Sequence, residues 1–279
     1  MTGNELYQKI RDLVTILDAD ELPELHDFLF YILDNDEPDS DGEMEGDPCG
    51  IANEIIAKCD KSEPLPKIVR DFITEIFENA FEEGNADAMN DLGAVYYDGS
   101  RGFEQSFEKA VECYKLAAEK GSRPAQENLG YCYYYGRNMP VDYEKAFHYF
   151  ALGAFDGHII SLYKIGDMYM NGYYVEKNPT EAFHIYNRCL ETMTDEAAEI
   201  CAGPVFLRVG NAFLKGEGTE ENAKNALVCF QKAEAFLYDM VAGGNVMYKK
   251  SLQGAIDGQA KARTKLAESL PQDKWTFDD

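Results

Sequence analysis

The residues that could do chemistry are few. Histidines stand at 26, 148, 158 and 184, and cysteines at 49, 59, 113, 132, 189, 201 and 229. None of them has the C-x-x-C or Cys/His spacing that holds zinc. His148 and His184 each follow an alanine by two residues, 36 positions apart. Equivalent positions on stacked helices lie roughly 10 Å apart, too far to share a metal, so both read as polar positions on a helix. No Ser/His/Asp signature, nucleophile elbow, phosphate loop or dinucleotide fingerprint is present. One acidic stretch comes closer to a metal site. Glu37, Asp39, Asp41 and Gly42 fall at positions 1, 3, 5 and 6 of a calcium loop between two predicted helices. Position 1 is normally Asp, however, and position 12 is Pro48, where a bidentate Glu is needed. Residues 34–48 hold eight acids and no base, which makes a solvated linker. No catalytic residue, metal or cofactor is expected. The cysteines read as small buried side chains in a reducing compartment.

The elements that position everything else repeat. Leu92-Gly93, Leu129-Gly130, Ile165-Gly166 and Val209-Gly210 align at steps of 37, 36 and 44 residues. Six residues after each glycine stands another: Gly99, Gly136, Gly172 and Gly216. A strong N-capping residue follows (Ser106, Asp142, Asn178, Asn222). Four residues later comes an alanine (Ala110, Ala146, Ala182, Ala226), and four later again an aromatic (Tyr114, Phe150, Tyr186, Phe230). A fixed period of this length marks an array of helical pairs. The first helix of each pair closes at a glycine able to take a left-handed turn, and the second opens on a capping side chain. A mid-helix glycine costs about 1 kcal/mol relative to alanine, so glycines 93, 130, 166 and 210 imply close helix–helix contact. Full copies are expected at about 85–121, 122–157, 158–201 and 202–242. The extra eight residues of the third copy are expected to lengthen its second helix or that helix's exit loop.

Around this array, residues 4–18 and about 20–33 read as two amphipathic helices, the second capped by Asp20. Residues 51–60 and 66–83 form a degenerate first pair, and 245–270 a closing helix. The expected organisation is an acidic helical N-terminal extension and linker over 1–50, a repeat solenoid over 51–270, and a tail over 271–279 in which Trp275 and Phe277 could anchor. The net charge is −25, of which residues 1–50 supply −13. Such a charge excludes nucleic acid as the expected partner, because phosphates are repelled. The N-terminus has no basic-then-apolar leader pattern. No apolar run approaches the roughly 18 residues that span a bilayer. A cytoplasmic protein without a membrane partner is therefore expected.

The pattern A-x-x-x-L-G-x-x-Y-x-x-G, followed by K-A-x-x-x-[YF]-x-x-A-A-x-x-G, resembles the Sel-one-like repeat, a relative of the tetratricopeptide repeat. The first copy carries Ala88, Leu92, Gly93, Tyr96, Gly99, Lys109, Ala110, Tyr114, Ala117, Ala118 and Gly121. The second carries Ala125, Leu129, Gly130, Tyr133, Gly136, Lys145, Ala146, Phe150, Ala154 and Gly157. The third and fourth depart from it at Ser161, Val205, Val209 and Asn225, and the resemblance covers about 70–270. It implies an all-α, right-handed solenoid of helix-turn-helix repeats that scaffolds protein–protein contacts without catalysis.

It also implies where a partner would sit. In the tetratricopeptide register, groove positions fall at −2, +2, +5 and +6 from the first residue of each Leu-Gly pair. These are Asn90, Ala94, Tyr97 and Asp98; Glu127, Tyr131, Tyr134 and Tyr135; Tyr163, Asp167, Met170 and Asn171; and Leu207, Asn211, Leu214 and Lys215. Tyrosine is enriched at interfaces, although some of these rings could instead pack between repeats. Acids outnumber bases here, so a basic or amide-rich peptide or protein is the expected partner. A second expectation is an acidic decoy or immunity-type protein that covers a basic surface through residues 1–50. The two differ in salt dependence, steep for the decoy and shallow for the groove.

Overall fold

The computed structural model describes residues 2–19, 22–35, 47–59 and 64–269. Asp20, the acidic calcium-loop candidates Glu37, Asp39, Asp41 and Gly42, and the tail with Trp275 and Phe277 lie outside the described residues. Every regular element among the described residues is helical. The chain divides into two compact units, residues 1–142 and 143–279.

The first unit contains α1 (Gly3–Ile16), α2 (Pro23–Asn35), α3 (Pro48–Lys58), α4 (Lys67–Glu82), α5 (Ala86–Asp98), α6 (Phe107–Glu119) and α7 (Arg123–Tyr135). A capping box starts α1: Thr2 and Glu5 each accept from the other's backbone N–H. The apolar stripes of α1 (Leu6, Ile10, Leu13) and α2 (Leu25, Leu29, Ile32) are buried. The two helices pack on each other and on α3 and α4, with Lys9 of α1 paired to Glu75 of α4 at 2.6 Å. The N-terminal helices are thus part of the same core as the first helix pair. Pro48, which spoils the calcium loop, occupies the first turn of α3, where its missing N–H costs nothing.

The second unit contains α8 (Tyr143–Phe155), α9 (Ile159–Asn171), α10 (Pro179–Thr192), α11 (Asp195–Lys215), α12 (Ala223–Ala242) and α13 (Lys249–Ser269). Helices α9 and α10, and then α11 and α12, form complete pairs, and α13 closes the unit on α12.

The repeated landmarks do what their types require. Ser106, Asn178 and Asn222 accept backbone N–H bonds at the starts of α6, α10 and α12. Gly99, Gly136, Gly172 and Gly216 end α5, α7, α9 and α11 in the left-handed region, at φ 65°, 66°, 74° and 68°. The aromatics Tyr114, Phe150, Tyr186 and Phe230 are buried to 2% exposure or less. Within each complete pair the mid-helix glycine faces that ring. A Cβ on Gly93, Gly166 or Gly210 would come within 2.7, 2.6 and 2.9 Å of Tyr114, Tyr186 and Phe230. These glycines are the space that the rings occupy.

One expectation is corrected. The extra residues near TMTDEAAEIC do not prolong α10, which ends at Thr192, or a long exit loop. They extend the first helix of the next pair: Thr194 caps α11, which runs for 21 residues. The physical reason is local. Thr194 accepts from Ala197 N–H, and Asp195 and Glu196 sit in the first turn, where the helix dipole favours acids. By length and composition α11 is also apolar enough to cross a membrane, but half of that apolar stretch is buried inside the unit.

Candidate functional site

The functional candidates lie on the first helices of the pairs, α5, α7, α9 and α11. The turn and aromatic rules above fix which face of each helix is buried and so which side chains remain at its edge.

In the second unit, six of the eight expected positions of α9 and α11 converge. Asp167, Met170, Asn171, Leu207, Asn211 and Lys215 line one cleft of about 470 Å³, which Ser251 of α13 also borders. At its base lies a buried polar cluster. Arg208 donates Nε and Nη2 to the two carboxylate oxygens of Asp167, at 2.5 and 2.6 Å, and Nη1 to Pro204 O at 2.8 Å. Tyr186 donates its hydroxyl to Asp167 Oδ1 at 2.9 Å, and Lys164 Nζ stands 3.8 Å from Oδ2. Burial pushes the Asp167 pKa up, but the adjacent Arg208 guanidinium outweighs it and holds the carboxyl below the ordinary aspartate value. Burial likewise lowers Lys164 to about 8, against the pull of Asp167. Asn171 and Asn211 are each pinned by their own helix, donating Nδ2 to Asp167 O and Leu207 O at 2.7 and 2.8 Å.

Three expected groove residues are buried or already bonded within the fold. Tyr163 is only 4% exposed, under the Arg208 guanidinium at 4.6 Å from the ring centroid. The Asp167 carboxylate is taken up by Arg208 and Tyr186. In the first unit Asn90 is buried, accepting from Asn128 Nδ2 of α7 at 2.9 Å. Side chains on successive first helices are close enough to bond each other, so these positions serve stacking before they serve a guest.

The remaining first-unit candidates form an aromatic group. Tyr131 and Tyr135 stack at 6.1 Å and 15°, and Tyr134 meets Tyr135 edge-on at 4.9 Å. Arg137 lies over Tyr135 and over Phe107, which in turn packs on Tyr97 at 5.1 Å. Tyr135 is exposed, Tyr97, Glu127, Tyr131 and Tyr134 are half-buried, and Asp98 and Ala94 reach solvent. Asp98 and Ala94 border a smaller cleft of about 240 Å³ with Asp91 and Arg101.

Sequence reasoning missed Arg208 and Asn128. Both immediately precede the Leu-Gly pair, as do Asp91 and Lys164. From this position Asn128 reaches Asn90 and Arg208 reaches Asp167, while Asp91 accepts from Asn53 of α3 at 2.9 Å. The available signal was a polar side chain at the same register in all four copies, two residues before the mid-helix glycine. As for chemistry, His148 and His184 are exposed on α8 and α10, and no group of three or more potential metal ligands occurs among the described residues. None of the seven cysteines is joined in a disulfide.

Helix pairs closed by left-handed glycines, opened by capping side chains and locked by a glycine facing an aromatic ring define a helical-hairpin repeat protein. The chain belongs to the Sel1 repeat proteins: the Sel1 repeat model matches residues 86–122, 123–158, 159–188 and 207–235. The unmatched interval 189–206 contains the residues that extend α11. Among known proteins the chain is similar to protein sel-1 homolog 2 of Mus musculus, 31% identical over 121 residues. That match spans 43% of this chain and 17% of the mouse protein. It is also similar to the ERAD-associated E3 ubiquitin-protein ligase component HRD3B of Arabidopsis thaliana, 38% identical over 71 residues, 25% of this chain and 12% of that one. This chain therefore corresponds to under a fifth of either relative's length. Among solved structures, the Sel1 repeat protein from Oxalobacter formigenes superposes with a TM-score of 0.52 at 22% identity, over 79% of this chain and 85% of that one. The fold is the all-α repeat solenoid.

Proposed function

We propose that this chain is a non-catalytic scaffold for protein–protein contact, and that it holds a peptide segment of its partner in the cleft of α9, α11 and α13. One observation carries the reading: six first-helix positions from two successive pairs line a single cleft large enough for several side chains. The floor of that cleft is already satisfied, since Asp167, Arg208 and Tyr186 bond to one another. A pre-formed floor lowers the ordering cost of binding. Asn171 and Asn211 both line the cleft, and after each donates one N–H to its own helix its carboxamide still has an oxygen and a second N–H, the pair of groups that a peptide bond requires. The plant relative, by its name a component of a ligase assembly, agrees with a scaffolding role. Panning a random peptide library on the purified chain tests this. Recovered peptides should bind in fluorescence anisotropy and lose at least tenfold in affinity to the Asn171→Ala/Asn211→Ala double variant, whose circular dichroism stays helical. Equal binding to both proteins would defeat the reading.

A further inference from the structure

The charge of this cleft runs against the charge of the chain. Lys177, Arg208 and Lys215 line it, against Asp167 and Glu217. Behind Asp167 stands the buried Lys164, 3.8 Å away. Four bases therefore surround two acids in a protein of net charge −25. Arg208 neutralises Asp167, and Glu217 pairs with Lys215 at 3.6 Å. Lys177 has no ion-pair partner among the described residues. Two of the five guanidinium N–H groups of Arg208 are also left over once its bonds to Asp167 and Pro204 are made.

We infer that the cleft selects an acidic peptide: a segment that places an Asp or Glu carboxylate against Lys177 and the edge of Arg208, with its backbone on Asn171 and Asn211. This rests on the peptide-binding reading above and reverses, for this cleft, the basic partner expected from residue counts alone. The reversal has a physical cause. The aspartate counted as an attractive acid is consumed by an arginine that the count left out. A carboxylate fits better than a phosphate. The fork of Arg208 is already engaged bidentately by Asp167, so it cannot clamp a second planar or tetrahedral anion with both arms. With Asp167 and Glu217 both paired, the cleft presents about one uncompensated charge, that of Lys177, which matches the single charge of a carboxylate better than the two of a dianion. The chain's overall negative field does not prevent this, because at about 0.1 M salt charges beyond ~10 Å are screened.

Three N-acetylated, C-amidated peptide pools, identical except for a fixed central Glu, Gln or phosphoserine and otherwise free of acids, provide the test by fluorescence anisotropy. The Glu pool should bind the wild-type chain at least tenfold tighter than the Gln pool. Lys177→Glu should erase that preference, and Lys177→Arg should keep it. Equal affinity for Glu and Gln in the wild type overturns the acidic preference but leaves the peptide cleft standing. A phosphoserine pool favoured more than tenfold over Glu overturns it in favour of a phosphopeptide. Binding of no pool overturns both readings.

Discussion

Gly166 of α9 lies directly against the ring of Tyr186 of α10: a methyl group on it would stand 2.6 Å from Tyr186 Cε1. Tyr186 is 2% exposed and bonded through its hydroxyl to Asp167, so the ring cannot retreat. Gly166→Ala is expected to lower stability by about 1–3 kcal/mol, overpacking outweighing the gain in helix propensity. Gly254 of α13 has Leu207 no nearer than 3.9 Å, and Gly254→Ala is expected to raise stability by up to about 1 kcal/mol. Chemical denaturation of the two variants checks this: the same substitution should change sign between them.

Removing one member of the Asp167–Arg208 pair strands the other. Arg208→Met is expected to cost about 3–5 kcal/mol, because an aspartate at 9% exposure loses both of its strongest donors. Adding Asp167→Asn should recover part of that loss, and a double-mutant cycle measures the coupling. Because the Asp167 pKa is depressed in the folded state, its contribution is complete above the ordinary aspartate value and is lost as pH falls through the lower folded value. The double variant should lack that part of the acid dependence.

Lys164 makes the opposite prediction at high pH. Below about 8 it is charged in both folded and unfolded chains, and the fold bears the full cost of burying it. As pH rises past 8 the folded state releases the proton, while the unfolded chain holds it up to 10.5. Its contribution to stability therefore increases across that window. Measured against Lys164→Met, the wild type should gain no more than about 3 kcal/mol between pH 7 and 10. A pH-independent difference would contradict the assignment.

The thiols should react in an order set by burial. Desolvation pushes Cys132 and Cys189 up to about 12, and both are fully buried. Cys59 and Cys229 are partly exposed. Alkylation of the native protein at neutral pH, read by peptide mass spectrometry, should label Cys59 and Cys229 first, with Cys132 and Cys189 protected until the fold opens.

Much of the fold was legible because its rules are short-range. A glycine that must turn left-handed, a side chain that must cap the next helix and an alanine–aromatic pair four residues apart act within one helical pair, so each copy writes them again. Gly172, Asn178, Ala182 and Tyr186 carried that message without a structure. Of the positions at the groove register, Asp167, Met170, Asn171, Leu207, Asn211 and Lys215 gather at one cleft. The fate of Tyr163, Asp167 and Asn90 was not legible, and neither was the helix to which the residues after Thr192 belong. Thr194 is a capping residue like Asn178, yet it falls outside the period and so outside the pattern that gave the others meaning.

The amino-acid sequence by itself determined that this chain is built of helical pairs, where each pair turns, and at which glycines the helices must come close. Only the tertiary structure decided which polar side chains are spent between successive pairs and which stay at the edge of a cleft. Asn90 with Asn128, and Asp167 with Arg208, lie 38 and 41 residues apart. Their chemistry differs from one pair to the next, amide to amide in one place and carboxylate to guanidinium in the other. A repeat constrains what every copy must do for itself. A contact between copies needs only two compatible partners, and nothing in the periodicity says which two those are.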